Sequence, residues 1–161
     1  MIEQLFKLQR QLDERIAKEH GLEQVDLMDK KVMALLVELG ELANETRCFK
    51  FWSKKPPAER EVILEEYVDG IHFILSIGIE LDIEDLLNLE LYEESRDLVN
   101  QFHRVFYSIS MFRENTSLEN YHTIFNEYLL LGRLLGFSSK DIEKAYILKN
   151  EVNHQRQDQG Y

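Results

Sequence analysis

The chain has 161 residues, enough for one domain with a sizeable core, with 44% hydrophobic and 30% charged residues. Its net charge of −11 disfavours nonspecific nucleic-acid binding, which depends on neutralising phosphates. The lone Cys48 excludes an internal disulfide and suits a reducing compartment, and no apolar run is long enough to span a membrane. A single domain over residues 1–161, with a cytoplasmic location, is the expectation.

Only two prolines occur, adjacent at Pro56 and Pro57, so long helices are predicted. The first covers about 2–19, where Leu5, Leu8, Leu12 and Ile16 recur at helical spacing. The second runs from about 26 to 47, with Val32, Leu35, Leu39 and Leu42 on its apolar side. "FKFWSKKPPAE" reads as a basic, aromatic loop stopped by the proline pair. The third helix runs from about 58 to 80, the fourth from 89 to 113 and the fifth from 117 to 135. "LDIEDLLN" connects the third and fourth. Gly136 suits a helix C-terminus, and Ser138 or Ser139 suits the N-cap of a last helix over 139 to about 156. No strand-like alternation persists, so the fold class is all-α, a helical bundle.

Two acidic pairs stand out. Glu38 and Glu41 lie three apart on the second helix, and Glu66 and Asp69 lie three apart on the third. That spacing puts each pair on one helical face, beside an apolar stripe. The proline loop turns the chain between them, so the two helices run antiparallel and the pairs can face one another. Like charges about 4 Å apart at an effective dielectric of about 20 repel by roughly 4 kcal/mol. Either some acids protonate or a divalent cation binds; all-oxygen ligands suit Mg²⁺ or Mn²⁺. Glu45, Glu59, Glu61 and Glu65 read as surface acids. Near the C-terminus, Lys149, Asn153 and Arg156 share a face and form a candidate anion clamp, with Gly160 and Tyr161 as a closing tail.

Four segments carry a resemblance: "LQRQLDE" at 8–14, "ELGELANE" at 38–45, "EEYVDGIHFILS" at 65–76 and "KNEVNHQRQDQGY" at 149–161. With them the chain resembles the dimeric all-α dUTP pyrophosphatases, relatives of the MazG-type nucleotide pyrophosphohydrolases. The resemblance implies a four-helix core of the all-α NTP pyrophosphatase type, a homodimer, and Mg²⁺-dependent hydrolysis of dUTP to dUMP and pyrophosphate. It implies that Glu38, Glu41, Glu66 and Asp69 hold metal, with Glu38 or Glu41 taking a proton from the attacking water. It implies that Lys149, Asn153, Arg156 and Tyr161 hold the phosphates, that Gln9 contacts the uracil, and that His72 sits near sugar or base. Trp52 would close over the base; here the loop has one tryptophan where the family usually has two. The competing expectations are a related dCTP or house-cleaning NTP pyrophosphatase, and a non-enzymatic helical interaction protein. The fourth and fifth helices are rich in aromatic residues (Tyr92, Phe102, Phe106, Tyr107, Phe112, Tyr121, Phe125 and Tyr128), more than a bundle this size easily hides, so some of them are expected to form an interface.

Overall fold

The computed structural model describes residues 1–83 and 96–161. The expected start of the fourth helix at 89, the end of the "LDIEDLLN" connection and Tyr92 lie outside the described residues. Among the described residues there are six α-helices and no strand. They are α1 (Ile2–His20), α2 (Met28–Thr46), α3 (Arg60–Glu80), α4 (Leu98–Glu114), α5 (Leu118–Leu134) and α6 (Ser139–Asp158). No helix among the described residues is long and apolar enough to cross a membrane.

The helix ends follow local chemistry. Gly21 closes α1 in the left-handed region at φ 66°, and its N–H reaches the Ala17 carbonyl. Arg47 closes α2 at φ 57°, a conformation that an L side chain rarely adopts. Its guanidinium fastens the following loop, donating to the Lys55 carbonyl at 3.0 Å and the Ser53 hydroxyl at 2.8 Å. The α4 start is set by Asp97, whose carboxylate accepts from the Asn100 N–H. Ser138 and Asp141 form a reciprocal capping box at the start of α6.

α3 is the centre of the bundle: α1, α2, α5 and α6 all pack against it. From Tyr67 to Gly78 it buries ten residues, leaving little of that stretch to solvent. Tyrosine hydroxyls lock α3 to α5. Tyr67 donates to the Tyr128 carbonyl at 2.9 Å, Tyr128 donates to the Tyr67 carbonyl at 2.8 Å, and the rings stack 4.7 Å apart. The close approach needs glycine on both helices, because a Cβ at Gly70 or Gly132 would overlap the facing hydroxyl. Burial pushes both phenols up, so they stay neutral donors.

Most of the described aromatic residues of α4 and α5 find cover within the chain itself. Phe102, Phe112, Tyr121, Phe125 and Tyr128 are buried within the chain's own core. The two helices pair with each other, α5 also reaches α3 and α4 also reaches α2, so these rings have apolar partners inside the bundle. Of the described members of that set, Tyr107 is the one left exposed.

Candidate active site

α2 and α3 pack side by side, and the acids meet where they do. Glu38, Glu66 and Asp69 each offer a carboxylate oxygen within 4.8 Å of the others. Apolar packing holds them there. Leu35, Leu39 and Leu42 are fully buried on α2, and Tyr67, Val68 and Ile71 are buried on α3. The acids therefore sit half-buried at the edge of the core.

Their electrostatics follow from this position. Burial, then the charges of Asp69 and Glu41, push Glu38 up to about 8. Burial, then Asp69 and Glu41, push Glu66 up to about 7. Asp69 is raised by burial, while Lys149 pulls it back. Glu41 itself is exposed; it contributes its charge to Glu38 and Glu66 but does not join the tight trio. Glu38 Oε2 is buried without a hydrogen-bond partner. Converging carboxylates with an orphaned oxygen are a donor set that fits a hard divalent cation.

A cavity of about 280 Å³ opens beside Glu38 and Asp69. That is close to the lower end of small-molecule sites, roughly 300–1,000 Å³. A second wall comes from α6, with Lys149, Asn153 and Arg156, and Tyr161 follows from the tail. Lys149 bridges the two walls, 3.2 Å from Asp69 Oδ1 and 2.9 Å from Glu65 Oε1. Burial alone would lower Lys149, yet its bonds to Glu65 and Asp69 outweigh that and raise it. The Arg156 guanidinium lies over the Tyr161 ring at 5.5 Å. Acids of α2 and α3 and two cations of α6 thus line one cavity, the combination that a metal–polyphosphate substrate requires.

The floor comes from α1 and α3. Gln9 and His72 both line the cavity, buried and hydrogen-bonded together, with Leu12, Ile16 and Phe73 as apolar neighbours. His72 also stacks on Tyr146 of α6 at 4.2 Å.

Of the predicted site residues, the structure gathers Gln9, Glu38, Asp69, His72, Lys149, Asn153, Arg156 and Tyr161 around one cavity, with Glu66 and Glu41 adjoining. Trp52 stands apart: it is 65% exposed, packs edge-on against Phe51, and does not line the cavity. Sequence reasoning missed Asp13 and Ser76, which also line it. Asp13 is one helical turn after Gln9, within "LQRQLDE", and that spacing was the available signal. Glu65, read as a surface acid, is exposed and also holds Lys149.

No curated protein matches the chain. The family model described as dUTPase matches residues 1–161, the whole chain. Together with the all-α fold, that match settles the family: this chain belongs to the dUTPases.

Proposed function

We propose that residues 1–161 form a single domain that hydrolyses dUTP to dUMP and pyrophosphate with Mg²⁺, as a homodimer in the cytoplasm. One observation supports the reading: carboxylates of α2 and α3 converge beside a cavity that Lys149 and Arg156 of α6 also line. Glu38, Glu41, Glu66 and Asp69 would hold the metal. When bound, Mg²⁺ supplies charge neutralisation at the phosphates and lowers the pKa of a coordinated water.

The chain's own residues do the rest. Glu38 lines the cavity and Glu41 does not, which favours Glu38 as the group that takes the water's proton. Lys149 and Arg156 bind the phosphate oxygens and stabilise the charge that builds on them. Asn153 supplies a neutral polar contact between them. The apolar floor of Leu12, Ile16 and Phe73 receives the nucleoside and excludes water.

A triphosphate panel tests this. Purified protein with Mg²⁺ should release pyrophosphate from dUTP faster than from dCTP, dTTP or UTP, and a chelator should stop it. Preference for dCTP, or indifference to the base, would replace the substrate assignment. Turnover unaffected by chelation would remove the metal from the proposal.

A further inference from the structure

The cavity floor holds a polar chain that the acids do not account for. Gln9 is only 4% exposed, yet it meets three polar partners. Its Nε2 donates to Asp13 Oδ1 at 2.8 Å. Its Oε1 accepts from the Tyr146 hydroxyl at 2.7 Å and faces His72 Nδ1 at 2.6 Å. Beyond Asp13, the Ser76 hydroxyl donates to Oδ2 at 2.7 Å, and the Lys31 ammonium lies 3.9 Å from the same oxygen.

The chemistry at one end fixes the direction of the whole chain. Burial raises Asp13, while the Ser76 hydroxyl donating to Oδ2 and the Lys31 ammonium beside it favour the ionised carboxylate, which only accepts. The Gln9 nitrogen must therefore face Asp13, since a reversed amide would set oxygen against oxygen. The Gln9 oxygen is then left facing His72, and it has no proton to give. His72 Nδ1 must carry the proton in that contact. Burial, then the Lys149 charge, push His72 down to about 3, so the ring is neutral and holds only that one proton. Its Nε2 is bare. That nitrogen is buried and has no partner, on a residue that lines the cavity.

We propose that Asp13 is a positioning residue: through Gln9 it locks His72 in the Nδ1–H form, so that the cavity offers a bare imidazole nitrogen to an N–H or O–H donor of the ligand. The donor reaches it once the flanking side chains of the cavity shift around the bound molecule. Taking the ligand to be a deoxyuridine nucleotide rests on the proposed function. Such a nucleotide has two suitable donors, the imino N–H of uracil and the 3′-hydroxyl of the sugar. Cytosine has no proton at that ring position, so an imino partner would also separate the two pyrimidines. Gln9, with its oxygen doubly occupied, holds His72 in place rather than reading the ligand through that oxygen.

The first measurement needs no substrate. Nitrogen-15 NMR of histidine-labelled, ligand-free protein reads the form of His72 directly. A single Nδ1–H form at neutral pH is expected, and a predominant Nε2–H form overturns the proposal. Asp13→Ala should mix the two forms and raise KM for dUTP by about tenfold with kcat nearly unchanged. Asp13→Asn, which can still turn a carbonyl oxygen to Gln9, should restore the single form. An Asp13→Ala protein with wild-type spectrum and KM refutes the positioning role; if that variant does not fold, the wild-type spectrum decides alone. Binding of N3-methyl-dUTP and of a dUTP analogue lacking the 3′-hydroxyl identifies the donor. The analogue that binds worse than dUTP to the wild type, but not to His72→Phe, names it; no such difference for either removes the ligand contact. A protein that neither binds nor hydrolyses dUTP sinks the proposed function instead, and leaves the spectrum of the free protein to be judged separately.

Discussion

Glu38 combines partial burial, a hydrogen-bond orphan and three acidic neighbours, Asp69, Glu41 and Glu66, a combination that favours the protonated or metal-bound side chain over a bare carboxylate. Two predictions follow from that position. Glu38→Gln should cut turnover by at least about a hundredfold, since it removes the proposed proton acceptor. At pH 8 and above in chelator, where Glu38 is ionised, the same variant should unfold at a higher temperature than wild type, because one member of a repelling cluster is gone. Calorimetry and a pyrophosphate assay on one preparation read both; a lower Tm or intact turnover would contradict the role. The second prediction concerns pH. Glu38 and Glu66 are raised to about 8 and about 7, above their unfolded value near 4.5. Between those values the folded chain binds more protons than the unfolded one, so this contribution to stability falls as pH rises. In chelator, Tm should therefore decline from about pH 5 to about pH 8, and added Mg²⁺ should restore most at the alkaline end. A Tm that climbs across that window in chelator would show the acids to be solvated.

At the scale of elements, α3 does two jobs that pull its composition apart. One stretch presents Glu66 and Asp69 to the site, and the same turns bring Tyr67 and Gly70 against α5. Gly70→Ala should gain about 1 kcal/mol of helix propensity. Overlap with the Tyr128 hydroxyl should outweigh this, for a net loss of about 1–3 kcal/mol by urea denaturation. A neutral or stabilising result would mean that the helices separate more readily than the tyrosine hydrogen bonds imply. Much of this element was legible in advance, because Tyr67, Ile71, Ile74 and Leu75 recur at the helical period and all are buried. The acids were legible as pairs for the same reason. The spacing could not rank them, since residues three apart differ by about 60° around the axis and only packing decides which turns inward. Glu38 turned toward the cavity and Glu41 toward solvent. The polar chain from Asp13 through Gln9 to His72 and Tyr146 was out of reach for another reason. Gln9 lies 63 residues from His72 and 137 from Tyr146, and single-helix periodicity carries no information across that distance.

For the whole molecule, the outer surface bears on assembly once most of the described aromatic residues of α4 and α5 are accounted for inside. Met33 and Val37 lie one turn apart on α2 and remain 61% and 50% exposed, although the opposite face of the same helix is fully buried. Tyr107 of α4, a helix that packs against α2, is 58% exposed. Scattered exposed apolar side chains are ordinary, but these lie on two helices that pack against each other in a chain of net charge −11. A homodimer would give them cover without touching the cavity, to which none of the three contributes. Light scattering should then return twice the chain mass of 19.2 kDa. Val37→Glu should shift that value toward the monomer, because two copies of a new carboxylate would meet in a desolvated interface. The helical content by circular dichroism should not change, since Val37 faces outward from the core. A wild-type monomer would leave these side chains simply solvated, and a Val37→Glu dimer would move the interface to another face.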